Sequence, residues 1–122
     1  MSLPPAGHTA PEMVVRRTAY ALGYRFRLHR GDLPGRPDIV FPSRHKAILV
    51  HGCFWHRHRG CPKATTPKTR AVFWKKKFSE NKNRDARIIR QLKAMGWSVL
   101  IIWECETKDV QLLARTLRAY LR

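Results

Sequence analysis

Three side chains that bind transition metals lie within nine residues of one another: Cys53, His58 and Cys61. They fall in the segment 52–69, which is too polar to fold around a core of its own. A tetrahedral zinc ion would cross-link this loop, and Cys105 could complete a Cys3His set from a distance. A closed set of this kind leaves no position for water, so the predicted zinc is structural. On spacing alone, His51 or His56 could replace His58, and free cysteines are the alternative.

A carboxylate also stands where it could hold a hard cation. Asp38 ends the turn LPGRPD at 33–38 and opens a predicted strand. Magnesium prefers few protein oxygens, several waters and a substrate phosphate, so one Asp, one backbone carbonyl and DNA would suffice. Alone, Asp38 would equally suit a turn or an ion pair. The next predicted strand favours the metal site, because it ends in VHGCFWH at 50–56, which contains two histidines.

The charge of the chain points to a polyanionic partner. Lys and Arg number 25 against 8 Asp and Glu, which gives a net charge of +17 over 122 residues. This excess is spread along the chain and indicates affinity for phosphate, but it does not distinguish DNA from RNA. A structural RNA-binding protein therefore stays an alternative at this stage.

The sequence lacks the marks of a membrane or secreted protein. No apolar run approaches the roughly 20 residues of a membrane helix, and the first residues lack a signal-peptide core. Three cysteines cannot all pair within one chain, which favours metal ligation in a reducing compartment. We expect a cytoplasmic protein with no membrane partner.

Hydrophobic periodicity predicts the order helix, three strands, metal loop, helix, strand, helix. A capping box formed by Thr9 and Glu12 begins the first helix, and Gly23 ends it. The predicted strands span 24–28, 39–41, 47–50 and 97–104. A long charged helix spans 73–95, with an expected break near Ser79, and Thr107 or Asp109 caps the last helix.

These elements predict an α/β fold in which helices flank a central mixed β-sheet. The length suits one domain over 1–122, with residues 1–8 as a loose N-terminal segment. The apolar side chains expected in the core include Phe73, Met95, Trp97 and Trp103.

From about Glu12 to Cys105 the sequence resembles the very short patch repair (Vsr) DNA mismatch endonucleases, members of the restriction-endonuclease-like superfamily. The resemblance rests on LPGRPD at 33–38, HGCFWH at 51–56, the Phe73-Trp74 pair and WEC at 103–105. It implies a single restriction-endonuclease-like domain with a structural zinc loop.

The resemblance also implies roles for particular residues. Asp38 and the carbonyl of Val50 would bind magnesium, His51 and His56 would act at the scissile phosphate, and Glu12 would be an active-site carboxylate. The zinc ligands implied are Cys53, His58, Cys61 and Cys105, the same set that spacing suggests. The gap from His58 to Cys61 is one residue longer than in the best-known member, and Gly60 could absorb that insertion.

Further residues are implied to contact DNA. The rings expected to wedge into the duplex beside a mismatch are Phe54, Trp55 and Trp74. The cations expected to meet DNA are Arg36, Lys75 and Lys76, and the two lysines begin a basic helix face. A basic stretch usual before the first helix is short here, because only eleven mostly neutral residues precede Glu12.

Together these features predict a magnesium-dependent endonuclease that nicks one strand of double-stranded DNA next to a T·G mismatch, with mismatch-repair proteins as partners. The alternative is a zinc-stabilised DNA-binding module without cleavage activity. Asp38, His51 and His56 favour the enzyme, because a binding module needs no acid in a basic groove.

Overall fold

The computed structural model describes residues 10–122, in which a four-stranded sheet is combined with three helices. The strands are β1 (Arg27–Leu28), β2 (Ile39–Phe41), β3 (Lys46–His51) and β4 (Ser98–Trp103). The helices are α1 (Ala10–Ala21), α2 (Ala71–Ala94) and α3 (Val110–Leu121), with 3-10 turns at Pro42–Arg44 and Glu104–Lys108. The predicted mixed sheet and element order are confirmed. Thr9 and the segment 1–8 lie outside the described residues.

The sheet runs in the order β1-β2-β3-β4, and its mixed character determines where the loops meet. β1, β2 and β3 are antiparallel neighbours, whereas β3 and β4 are parallel, and the long α2 provides the crossover connection that a parallel pair requires. The register pairs His51 with Trp103 at the carboxyl ends of the two strands. Because Cys53 and Cys105 each follow two residues later, the parallel pairing carries both cysteines to one end of the sheet.

Apolar side chains form two buried clusters. The larger one joins α1 and α3 to the sheet and contains Val15, Ala19, Ile39, Phe41, Ile48, Ile102, Leu113, Leu117 and Leu121. The smaller one joins Leu92 of α2 to the sheet and contains Leu33, Val40, Ala47, Leu92 and Trp97. Ile39 and Val40 belong to different clusters, as alternation along a strand buried on both faces requires. No helix within 10–122 is both long and apolar enough to cross a membrane.

Several sequence predictions about the elements were wrong. α2 is continuous through Ser79, since it contains neither Pro nor Gly and buries Phe78 and Asn81 in its middle. The first strand keeps only Arg27 and Leu28 of 24–28, while Tyr24 and Phe26 pack edge-on against Phe41.

Two of the expected core residues are exposed. Met95 is 51% exposed because it is the C-cap of α2, and Phe73 is 46% exposed in the first turn of the same helix. Trp97 is buried as predicted. Trp103 is only partly buried, and its ring stacks on His58.

Candidate active site and metal centre

Asp38 and Val50 are joined directly across two neighbouring strands. Asp38 precedes β2, and the backbone amide of Val50 in β3 donates a hydrogen bond of 2.7 Å to its Oδ2. This bond orients the carboxylate towards the end of β3. The other carboxylate oxygen, Oδ1, is not used by that hydrogen bond and is available to a cation.

Glu12 approaches the same carboxylate from α1. It is only 2% exposed, its Oε2 lies 2.6 Å from Arg16 Nη2, and its Oε1 lies 3.1 Å from His29 Nε2. His29 Nε2 is also 4.0 Å from Asp38 Oδ1. One donor atom from each of Glu12, His29 and Asp38 falls within 4.8 Å of the others. The three side chains therefore form a cluster of suitable size for one cation.

His29 was missed by the sequence reasoning, although β-pairing contains a signal for it. The register pairs Leu28 with Ile39, so the next residues outward, His29 and Asp38, oppose each other. The His29 amide donates to the Asp38 carbonyl at 3.3 Å, which continues that pairing. Once the register of β1 and β2 is known, the residue opposite a candidate ligand can be identified, and the residue opposite Asp38 is His29.

The electrostatics of this cluster favour a bound cation. Burial raises the pKa of Asp38 to about 6, and the neighbouring Glu12 carboxylate contributes in the same direction. The hydrogen bond from Val50 and the nearby His29 oppose this effect only in part. Two close carboxylates that are poorly solvated are stabilised by a divalent ion, and oxygen donors of this kind are those that magnesium prefers.

A second cluster contains both predicted histidines. His51 ends β3, and its ring stacks on His56 with centroids 3.9 Å apart and planes 9° apart. His56 Nδ1 donates to Asp85 Oδ2 of α2 at 2.6 Å. Burial, followed by the proximity of His56, lowers the pKa of His51 to about 4, so its ring is neutral at neutral pH. Asp85 was also missed, since nothing local distinguishes it from a solvated helical acid.

Both clusters meet at one cavity of about 350 Å³. Its wall includes the acid and histidine groups Asp38, His51, His56 and Asp85, together with Val50. Its other lining residues include the cations Arg36, Lys77 and Arg84, and the ring of Trp55. A cavity that combines a carboxylate site, two imidazoles and surrounding cations can receive an anionic ester such as a phosphodiester.

The two lysines predicted to contact DNA do not line the cavity. Lys75 and Lys76 are both exposed on α2, but Lys77 is the member of this lysine run that lines the cavity. Lys75 lines a separate cleft with Arg57 and Lys82. The α2 surface therefore offers cations on two sides.

The cysteine and histidine cluster lies beyond the carboxyl ends of the parallel strands β3 and β4. His58 Nδ1 lies 3.5 Å from Cys53 Sγ and 3.4 Å from Cys105 Sγ, and Cys61 completes a set whose donor atoms lie within 4.8 Å of one another. Sulfur and nitrogen ligands of a tetrahedral zinc ion are separated by about 3.6 Å. The observed spacings fit such an ion, and the cluster could therefore bind a metal.

The surroundings of this cluster distinguish His58 from His51 and His56, which spacing alone also allowed as ligands. His51 and His56 face the cavity, whereas the ring of His58 is fixed against Trp103 at 4.2 Å between centroids. Burial raises the pKa of the Cys53 thiol to about 12; a backbone hydrogen bond with Cys105 opposes this rise, and the side chains of Cys105 and Cys61 add to it. A coordinating cation would reverse this effect, since it binds the thiolate form.

The three predicted DNA-contacting rings are neighbours. Phe54 lies 5.3 Å from Trp55 and 5.9 Å from Trp74 between ring centroids, and Phe78 of α2 packs beneath them. All three rings are half-buried, and Phe73 extends the group at its exposed end. This aromatic cluster (Phe54, Trp55, Trp74) adjoins the cavity through Trp55.

Comparison with known proteins relates the chain to one family. The family model described as DNA mismatch endonuclease Vsr matches residues 1–63. The chain is 50% identical over 114 residues to the type II nicking enzyme V.XorIIP of Xanthomonas oryzae pv. oryzae, which covers 93% of this chain and 83% of that protein. It is 34% identical to the type II nicking enzyme V.NmeAIP of Neisseria meningitidis, over 93% and 81% of the two chains. The DNA mismatch endonuclease Vsr of Escherichia coli is 47% identical over 83 residues, or 68% of this chain and 53% of that protein. The chain therefore belongs to the Vsr DNA mismatch endonuclease family and is a DNA endonuclease.

Proposed function

We propose that this protein is a magnesium-dependent endonuclease that nicks one strand of duplex DNA next to a T·G mismatch, acting with other mismatch-repair proteins. The observation that carries the proposal is the shared cavity of about 350 Å³, onto which Asp38, His51, His56 and Asp85 all open. The relatives named as nicking enzymes and as a mismatch endonuclease support both parts of it.

In this proposal Asp38 Oδ1 and the carbonyl of Val50 hold magnesium. When bound, this ion would polarise the scissile phosphate and lower the pKa of an attacking water. Asp38 is prepared for that task by the hydrogen bond from the Val50 amide, which leaves Oδ1 available. Glu12 makes the potential at the site more negative. Its Oε2 is paired with Arg16, and its Oε1 contacts His29.

The two histidines divide the proton transfers. His51 is neutral at neutral pH, so its ring can accept a proton from the attacking water. The carboxylate of Asp85 accepts a hydrogen bond from His56 Nδ1 and fixes the ring, so that in its protonated form the opposite nitrogen, Nε2, can give a proton to the leaving oxygen of the phosphodiester.

We further propose a zinc ion, bound by Cys53, His58, Cys61 and Cys105, that makes the loop 52–69 rigid. Since His56 lies within this loop, the zinc would also position one of the catalytic histidines. In this proposal the chain forms one restriction-endonuclease-like domain over 1–122.

DNA binding would use the cations around the cavity and along α2, namely Arg36, Lys75 and Lys76. Phosphate contacts of this kind provide affinity without sequence or pairing preference. Preference for the mismatch would come from the aromatic cluster, because ring insertion requires less unstacking energy where pairing is weak.

The experiment compares 5′-labelled duplexes that differ only in a T·G or T·A pair. Zinc-loaded protein is assayed without magnesium, with added magnesium, and as the Asp38→Asn variant. Asp32→Asn is the matched control, because it removes an exposed carboxylate from the preceding turn. We expect nicks in one strand only, only with magnesium, and faster on T·G. Equal rates on both duplexes would refute the mismatch preference, and cleavage by Asp38→Asn at the parental rate would refute the metal assignment.

A further inference from the structure

His29 occupies an unusual backbone conformation beside the carboxylates. Its φ of 45° lies in the left-handed region, which is uncommon for residues other than glycine. Such conformations require support from the surrounding structure and concentrate at functional sites. Here the conformation accompanies a ring nitrogen that lies between Glu12 and Asp38, at 3.1 Å and 4.0 Å from their oxygens.

These distances are close to those between ligands around one ion. In an octahedral site with metal–ligand bonds near 2.1 Å, adjacent ligands are about 3 Å apart and opposite ligands about 4.2 Å apart. The distance from His29 to Glu12 matches an adjacent pair, and the distance from His29 to Asp38 lies between the two values. Only small movements would bring the three donor atoms onto a shared cation.

We propose that the catalytic metal held by Asp38 and the Val50 carbonyl takes Glu12 and His29 as further ligands, and that the His29 nitrogen makes the site bind manganese more tightly than magnesium. The inference rests on the proposed function, which puts the catalytic metal at Asp38. Magnesium prefers oxygen ligands and gives up water reluctantly, whereas later first-row ions accept imidazole more readily. Both ions would support cleavage, with manganese effective at lower concentration.

A competing arrangement makes the inference testable. His29 could instead only hold Glu12 by a hydrogen bond, with no contact to the ion. In that case the metal would have oxygen ligands alone, and replacement of His29 would alter cleavage without changing the relative affinities for the two ions.

The test uses the full chain with its cysteine cluster first loaded with zinc. Pulsed electron paramagnetic resonance of bound manganese detects a coordinated imidazole through its ¹⁴N modulation. We expect this signal in the parent and its loss in His29→Asn, a residue that tolerates the left-handed conformation. His29→Gln provides a second variant, and His45→Gln is the control, because His45 is also left-handed but precedes the opposite end of β3 from Val50.

Affinity measurements complete the test. Titration with manganese, followed by competition with magnesium, should show manganese binding weakened at least about tenfold in the His29 variants, the scale on which metal sites lose affinity when a supporting group is removed. Magnesium binding should change less than about threefold. An unchanged ¹⁴N signal, or equal weakening for both ions, would overturn the proposal. If manganese binding survives in Asp38→Asn, the metal assignment of the proposed function fails instead. Melting curves of the zinc-loaded variants identify any that are unfolded.

Discussion

Replacing Asp38 by Asn removes the negative charge of this side chain and keeps its hydrogen bond. The variant therefore measures what burial of the charge costs the fold. Asn keeps an oxygen that can accept the 2.7 Å hydrogen bond from the Val50 amide, but it cannot carry a negative charge. Burial and the adjacent Glu12 raise the pKa of Asp38 from 3.8 to about 6, so the ionised form is disfavoured in the metal-free fold. We therefore expect Asp38→Asn to abolish nicking and to stabilise the metal-free protein at neutral pH.

The sign and size of this stabilisation follow from proton linkage. A carboxyl whose pKa is higher in the folded chain than in the unfolded chain stabilises the fold at low pH, and that contribution is lost as the pH rises through about 6. The difference in pKa corresponds to at most about 3 kcal/mol. Because 28% of the side chain is exposed, solvent reduces the effect to about 1–2 kcal/mol at pH 7.5. The gain should be about half as large at pH 5.

The assay is urea unfolding of zinc-loaded protein, without magnesium, at pH 5 and pH 7.5. The control Asp32→Asn removes a carboxylate that is 60% exposed and should show no gain that grows with pH. Saturating magnesium should then stabilise the parent but not Asp38→Asn, because only the parent binds the ion at this site. A variant that is less stable than the parent at pH 7.5, or a gain independent of pH, would refute the reasoning.

Three further changes test other parts of the site. Asp85→Asn should slow nicking by up to about a hundredfold, because the carboxylate that holds His56 is lost; an equal loss of DNA affinity, measured by fluorescence anisotropy, would contradict this positioning role. Cys105→Ser should lower the zinc content and the melting temperature together, because a structural zinc contributes directly to folding; full zinc occupancy with unchanged melting would remove Cys105 from the ligand set. Trp74→Ala should reduce the ratio of nicking rates on T·G and T·A duplexes more than it reduces affinity at one salt concentration; an unchanged ratio would exclude this ring from mismatch recognition.

Local sequence patterns were sufficient for the elements. The apolar runs at 39–41 and 47–50 and the helical stripe that includes Leu113, Leu117 and Leu121 predicted strands and a helix that the structure contains. These patterns succeed because side-chain periodicity directly reflects which face of an element is buried. The boundaries were less accurate, as at the first strand, where Tyr24 and Phe26 contribute rings to the core but pair with no strand.

Motif chemistry also indicated most of the candidate site. Asp38 and the 50–56 segment were singled out from their residue types, and the structure brings Asp38, His51 and His56 to one cavity. Cys105 was linked to the distant loop because the chain offers only three cysteines. These inferences needed no distances, since few residue types can bind zinc or magnesium.

Only the tertiary structure decided which of the remaining residues join these groups. His29 becomes a neighbour of Asp38 through the β1–β2 register, and Asp85 reaches His56 because α2 crosses back over the sheet to make β3 and β4 parallel. The same parallel pairing carries Cys105 to His58. Local periodicity reports burial along one element, whereas these contacts depend on strand register and on the path of a connecting helix, which arise from packing between residues far apart in the chain.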